Sequence, residues 1–515
     1  MRAGSRSQLP KTNVRRSALV SWIAGAVVGL SAGAWAAAQA PVKAEDAGTP
    51  PRVHTLDECI ATALENNGRR PASAFAVAAA EAQHRQALAG YWPQVYLKGG
   101  YQRTDETADF LFPAASFNVP PQNITLPFGG TIPVTIPGVG TIPVSSFPIP
   151  AQNIEIPAQD VKLADEDSYL ASIKATWLLY DGGMRRGLRE QASAGIEAAQ
   201  QEAHRTDLEI VDSVRRFYYG AVLARQLHEV GNDTLARMEA TLNLTETMYK
   251  EGSGKVTKAD YLDNKVMVES LRAMVARLEK NEEAAKSALA NTMGLPWRET
   301  VTPADQKVPF EPFPLSLDDL VAEAYEFSPD WLRLEAGIRA SEGAVKTAMS
   351  GHQPKLALTG ELHRWWNNYE AGIATDRNKK GWTAGVGIEI PIFEGFLVRN
   401  RVKEQQAKLG QLKAQRLLLQ EGIGIQLKNL FLELKATGKS YQATLAAMTA
   451  AQENQDLNTR AYQNDLVETE KVIRAQLVEA LMSAQHYKTV YDQAALLSQM
   501  NLVVGTEVMK AFGQQ

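Results

Sequence analysis

Two hydrophobic periods divide this chain. Tyr169, Ala171, Ile173, Ala175, Trp177 and Leu179 alternate with Ser172, Lys174 and Thr176, and Trp382, Ala384, Val386, Ile388, Ile390 and Ile392 alternate with Thr383, Gly385, Gly387 and Glu389. Period two places the apolar set on one side of a strand. The pattern is looser in Val95, Leu97, Gly99, Tyr101 and in Leu356, Leu358, Gly360, Leu362. It predicts strands over 93–103, 169–180, 355–366 and 382–393. At about ten residues each, they have the length that crosses an outer membrane when tilted. Alternation alone also fits a soluble sheet with one face buried. Trp92, Trp177, Trp365, Trp366 and Trp382 near the strand ends favour the membrane, where aromatic girdles sit at the interfaces.

The second period is helical. No proline falls between Pro157 and Pro296 or after Pro391, so nothing stops helices over 185–250 and 398–463, each about 100 Å long at 1.5 Å per residue. Apolar stripes run through Ile210, Val214, Phe217, Ala221, Ala224 and Leu227, and through Leu419, Ile423, Leu427, Leu430, Leu434, Tyr441, Leu445 and Met448. They are narrow, as in helices that pack in coiled coils while facing water. Each long helix is expected to turn back, near Gly252 and Asp465, giving hairpins 185–294 and 398–506. Gly220, Gly231, Gly422 and Gly424 weaken the helices modestly.

The same order of elements occurs twice. A shift of 261 residues superposes Leu56-Asp57 on Leu317-Asp318, Ala63 on Ala324, Glu81 on Glu342, Gly90 on Gly351 and Pro93 on Pro354 without a gap. Beyond the first strand the shift becomes 213, with Asp181-Gly182 on Glu394-Gly395, Arg186 on Arg399, Tyr249 on Tyr462 and Leu289 on Leu502. A sustained period of this kind marks a structural repeat. The chain therefore divides into a first repeat, 55–296, a linker, 297–316, and a second repeat, 317–510, with loop 367–381 between its strands. The 48-residue difference is extra material in the first copy, within a loop over 104–168. Ten of the 24 prolines lie there between Pro113 and Pro157, and Thr131-Ile132-Pro133-Val134 is echoed at Thr141-Ile142-Pro143-Val144. That composition excludes helix and predicts an extended loop.

Composition narrows the function classes. Lys+Arg 54 against Asp+Glu 58 gives a net charge of -4, without the basic excess a nucleic-acid partner requires. Residues 1–38 read as a cleaved export signal: Arg2, Arg6, Lys11, Arg15 and Arg16 precede an apolar run from Ala18 to Ala34 and small-residue cleavage sites. A retained anchor is the alternative, since the run is nearly long enough to span. With Cys59 alone, disulfide frameworks and multi-cysteine metal sites are out. The seven histidines have no partners at ligand spacing, and Gly252-Ser253-Gly254-Lys255 lacks the spacing and preceding strand of a phosphate loop. No metal, cofactor or catalytic residue is expected.

Four strands cannot close on themselves, whereas single-chain outer-membrane barrels begin at eight. Either the chain associates with its own copies or the strands do not form a barrel. With this duplicated order, with Tyr91-Trp92-Pro93 before the first strand, with Tyr180-Asp181-Gly182-Gly183 and Phe393-Glu394-Gly395 after the second strand of each copy, and with Tyr249-Lys250-Glu251-Gly252-Ser253-Gly254 before Asp260-Tyr261-Leu262, the sequence resembles the TolC-like outer-membrane channel proteins over residues 55 to 510. The resemblance implies an α+β membrane protein: a homotrimer whose protomers give four strands each to a twelve-stranded barrel, continued by a helical coiled-coil tunnel in the periplasm. It implies an exit duct of a tripartite efflux pump or of a type I secretion system, working with a periplasmic adaptor and an inner-membrane transporter of the RND, ABC or MFS kind. Adaptor contact would fall on Gly252, Gly254, Lys255, Leu466 and Val467, and the mouth on Asp260, Lys471 and Arg474. At this mouth the sequence departs from the family, because Asp465 and Lys471 stand where a glycine and an acidic residue are the rule. Asp260 is expected to approach Lys471 or Arg474. Two rivals remain open, a periplasmic helical-hairpin adaptor and a surface-binding protein that uses the Pro-rich insert.

Overall fold

The computed structural model describes residues 53–105, 109–125, 132–136, 140–144, 146–162, 166–252, 256–366, 380–464 and 466–508. The expected export signal and most of loop 367–381 lie outside them. The first repeat holds α1 (Leu56–Asn66), α2 (Arg69–Ala89), β1 (Gln94–Arg103), β2 (Asp167–Tyr180), α3 (Met184–Lys250) and α4 (Lys258–Thr292). The second holds α5 (Leu317–Phe327), α6 (Pro329–Met349), β3 (Lys355–Trp366), β4 (Lys380–Glu389), α7 (Leu397–Gln463) and α8 (Thr469–Val504). Both α3 and α7 have 67 residues, or about 100 Å. Among the described residues no helix is long and apolar enough to cross a membrane.

The four strands form one antiparallel sheet in the order β4-β3-β2-β1. Its register stacks the alternating residues into rows: Leu97, Ile173, Leu362 and Trp382 lie side by side, as do Val95, Ala175, Gly360 and Ala384. At the end where β1 leads into the insert the same face carries Gly99, Ala171, Arg364 and Lys380 and then Tyr101, Tyr169 and Trp366, with the Arg364 guanidinium over the Trp366 ring. Lys98, Ser172, His363 and Gly381 form a row on the opposite, polar face, next to Tyr96, Lys174, Glu361 and Thr383. β4 stops at Glu389, short of the 393 expected, because Glu389 faces the first residue of β3, Lys355. Beyond that point β3 offers β4 nothing to pair with.

The Pro-rich insert is extended but paired, not a free loop. Asp109–Phe112 pairs with Gln159–Lys162, Ala115–Val119 with Gln152–Ile156, Gln122–Thr125 with Ser146–Ile149, and Ile132–Ile136 with Gly140–Val144. The four pairs are nested in sequence between β1 and β2, in the order of a two-stranded ribbon. Of the echoed tetrapeptides, Ile132, Pro133 and Val134 lie opposite Val144, Pro143 and Ile142. Proline has no N–H to give, and a ribbon has outward-facing positions where none is needed.

Two cores are built at corresponding positions of the two repeats, and Val490 of α8 joins the first. Cys59, Ala63, Ile210 and Val214 of the first correspond to Leu320, Ala324, Ile423 and Leu427 of the second. On α3 the stripe passes through Tyr218, which is fully buried, while Phe217 is exposed. Gly231 lets α4 close on α3: a Cβ there would stand 2.9 Å from Leu278 Cδ1. The segment between the repeats is packed rather than loose, with Val301 and Val308 in the first core, Phe310 stacked on Tyr441 and Thr302–Pro303 paired in parallel with Val53–His54.

Candidate functional site

Each strand pair enters its long helix through a sharp joint. In the first copy, Asp181 accepts hydrogen bonds from the Gly183 and Arg185 amides and from Arg185 Nε at 2.7 Å. Arg185 in turn donates to the Leu178, Leu179 and Gly90 carbonyls and covers the Tyr91 ring. One guanidinium thereby fixes the direction in which α3 leaves the sheet. In the second copy Val398 stands at the position of Arg185, packed where a Cβ on Gly351 would meet it at 2.8 Å. Phe396 takes the left-handed conformation, φ 64°, that Gly183 takes in the first copy.

The helices then run to the two turns that carry the expected contact residues. After α3, Gly252 has φ 69°, a conformation open to glycine without steric cost. Gly254 and Lys255 lie outside the described residues. Thr257 caps α4, and Asp260 accepts from the Thr257 amide and hydroxyl, each at 2.8 Å. The Asp260 carboxylate is thus engaged in its own capping box. Among the described residues no ion pair joins it to Lys471 or Arg474. Asp260 and Arg474 nevertheless line one groove of about 600 Å³ between α4 and α8, together with Val266, Met267, Ile473 and Leu477. Lys471 is not part of that lining; its amide donates to the Glu468 carbonyl, and its side chain is exposed. In the second turn the Leu466 amide closes on the Ala461 carbonyl, its side chain exposed and Val467 half-buried.

One step further in lies a buried polar chain that sequence reading did not predict. Thr245 spends its hydroxyl proton on the Thr241 carbonyl, so Tyr462 donates to Thr245 at 2.8 Å and Thr469 to Tyr462 at 3.0 Å. Asn264 adds a donor to Thr245, Gln476 one to Thr241, and Arg237 pairs with Glu479 at 2.6 Å. These bonds join α3, α4, α7 and α8 just behind the turns. The signal was a stripe of polar residues at coiled-coil spacing on α8, Thr469, Gln476 and Ser483 with Glu479, His486 and Gln493. Burial lowers the pKa of His486, which favours the neutral ring. Among the described residues no group of His, Cys, Asp or Glu is placed to hold a metal ion.

The decisive observation is a family profile. That of the outer membrane efflux proteins matches residues 154–295 and 320–502, more than half of the chain and parts of both repeats. The chain belongs to the outer membrane efflux protein family. The family is one of outer-membrane channels rather than enzymes. Protein CyaE of Bordetella pertussis is 25% identical over 284 residues, which are 53% of this chain and 57% of CyaE. Outer membrane efflux protein BepC of Brucella suis biovar 1 is 21% identical over 334 residues, 63% of this chain and 70% of BepC. The match to CyaE thus spans little more than half of that relative's length. Among solved structures, the outer-membrane channel OprN shares the fold with a TM-score of 0.67 at 16% identity, covering 87% of this chain and 89% of OprN. Membership in the outer membrane efflux protein family locates the protein in the outer membrane, with its helices as the periplasmic tunnel.

Proposed function

We propose that the protein is the outer-membrane exit duct of a tripartite efflux pump, assembled as a homotrimer that conducts substrate from an inner-membrane transporter through periplasm and outer membrane. The observation that carries this reading is one open four-stranded sheet, with apolar rows through the middle of one face and polar rows on the other, continued into helices about 100 Å long. A lone sheet of this kind has no stable place in lipid until its edges close. Efflux is preferred to type I protein secretion because the matched family and BepC are both named for efflux. The duct needs no catalytic step and no cofactor.

In this reading the two helix turns are the end that meets a periplasmic adaptor, through Gly252, Gly254, Lys255, Leu466 and Val467, with an RND, ABC or MFS transporter beyond it. Asp260, Lys471 and Arg474 edge the mouth. Because Asp260 is held in its capping box, its carboxylate stays at the start of α4, in a groove that Asp263, Glu470 and Arg474 also line. A mouth of mixed sign should bind multivalent cations less than an all-acidic ring. Single-channel conductance in planar bilayers tests both levels. Ohmic channels from the purified protein are expected, with Arg474→Asp and Lys471→Asp raising sensitivity to multivalent cation block. Absence of channels would sink the duct, and unchanged block in both variants would remove the charges from the mouth.

A further inference from the structure

Two cations stand at the outer limit of the apolar face of the sheet. Its rows run from Leu356 and Ile388, beside the helices, through Leu358 and Val386, then Gly360 and Ala384, to Leu362 and Trp382. The next row is Gly99, Ala171, Arg364 and Lys380. Four row-to-row steps of two residues cover about 27 Å of strand, or about 20 Å of depth at a tilt of about 40°. An outer-membrane barrel has an apolar band about 25 Å tall. Arg364 and Lys380 therefore fall at the border of that band. They lie on the side away from the helical tunnel, which is the outer leaflet.

Among the described residues neither side chain makes an ion pair or a hydrogen bond. Within the four strands the acidic residue on this face is Asp167, two rows further out, and it is engaged by the Tyr101 hydroxyl at 2.7 Å and by Arg103 at 4.0 Å. Glu361 belongs to the opposite face. The Arg364 guanidinium lies over the Trp366 ring, 4.9 Å from its centroid. Such a contact uses the plane of the guanidinium and leaves its N–H edge free to donate.

Beside the cations the face is hollowed. Gly99 and Ala171 leave space in the cation row, and a groove of about 530 Å³ joins Arg364 and Lys380 to Leu97, Ile173, Leu362 and Trp382 of the next row inward. All four of those apolar side chains are exposed. The charged end of the groove lies at the membrane border, and its apolar end runs toward the bilayer centre. A cation that only snorkels to water needs no such hollow. The two ends together match a molecule that carries phosphate next to acyl chains.

We infer that this groove binds a phosphorylated lipid of the outer leaflet, with its phosphate between Arg364 and Lys380 and an acyl chain along Leu97, Ile173, Leu362 and Trp382. The inference goes beyond the duct and rests on that reading's placing the apolar face in lipid. A guanidinium presents a fork to two phosphate oxygens, and the ammonium adds a point charge for a third. Trp366 and Trp382 flank the cation row at headgroup level, where amphipathic rings settle. Two positive charges without a counterion favour a phosphomonoester, which carries about -1.5 to -2 at pH 7. A zwitterionic headgroup would bring a like charge to both cations.

Native mass spectrometry of the full-length protein in detergent, titrated with bisphosphorylated lipid A, tests the site. Lipid A of the same acylation, stripped of phosphate by phosphatase, is the headgroup control. The parent should bind the phosphorylated form about tenfold more tightly. Arg364→Gln combined with Lys380→Gln should abolish that preference and leave binding of the dephosphorylated lipid unchanged, while Arg364→Lys with Lys380→Arg should retain it. Lys174→Gln, on the polar face, should alter neither affinity. Ala171→Phe narrows the groove without changing charge and should weaken both lipids; full affinity in that variant would overturn the acyl half. Displacement of the lipid by millimolar inorganic phosphate would assign the cations to a free anion and overturn the lipid. Equal affinity of the parent for both lipids, or a preference that survives in the double Gln variant, would overturn the site while leaving the duct intact. A parent without channels in planar bilayers would instead remove the duct, and the placement of this face in lipid with it.

Discussion

Asp181 and Glu394 occupy equivalent places in the two copies, yet only Asp181 is wired into its joint. It is 4% exposed and paired with the half-buried Arg185, whose remaining donors hold carbonyls of β2. Removing one partner of a buried pair leaves the other charge without compensation, at about 3–5 kcal/mol. Asp181→Ala should therefore lower the thermal midpoint of the detergent-solubilised protein strongly. Glu394→Ala, on an exposed side chain, should stay within about 0.5 kcal/mol. Equal losses would show that the joint does not depend on this pair. The repeat alignment made Asp181 and Glu394 look interchangeable, and the difference is carried four residues later, by Arg185 against Val398. Phe217 and Tyr218 show the same limit. Both fit a helical stripe within one residue, and only the packing against α1 and the linker selects Tyr218, whose hydroxyl reaches the His54 carbonyl and the Asp305 amide.

At the scale of elements, the four sheet strands and the helix lengths were legible because each follows from a period or from the absence of proline, whereas the strands of the Pro-rich insert, which lack a sustained period, were not. The polar interior of the helical hairpins was not. Threonine, glutamine and glutamate at coiled-coil spacing read as a solvated face until a partner helix is known to cover them. Glu282 of α4 is such a residue, 9% exposed, with His228 Nδ1 at 2.7 Å and Lys286 Nζ at 2.7 Å. Burial by itself would raise its carboxyl above the ordinary 4.5, but the hydrogen bonds from Lys286 and His228 outweigh that and hold it lower. A carboxylate whose folded pKa is depressed stabilises fully above its unfolded value and loses that contribution as pH falls through the folded one. Glu282→Gln should thus destabilise the α3–α4 hairpin at pH 7, and its deficit against the parent should shrink as pH drops below 4.5. Amide exchange across α3 and α4 measures it, and a deficit independent of pH would exclude the ionised carboxylate as the cause.

For the whole molecule, the sheet and its ribbon set which end faces outward. Ile173 sits mid-row on the apolar face, between Leu97 and Leu362. If that face meets lipid, Ile173→Arg at mid-membrane costs about 2–4 kcal/mol and should reduce the unheated oligomer. Lys174→Gln on the polar face should leave the yield unchanged, so equal yields from both variants would remove the lipid assignment. Direction follows from connectivity. Each strand pair leaves for its helical hairpin at one end of the sheet, while β1 and β2 continue into the ribbon at the other. If the ribbon is extracellular, both helix turns must then be periplasmic. A broad-specificity protease added to intact cells should cut within 104–168 and spare the turns near Gly252 and Leu466, which become cleavable only after the outer membrane is permeabilised. The ribbon is paired on both sides of any such cut, and β1 stays bonded to β2 from Arg103 to Gln94. The nicked protein should therefore keep its mobility until heated and only then separate into two fragments. Cleavage at the turns in intact cells would reverse the orientation of the chain.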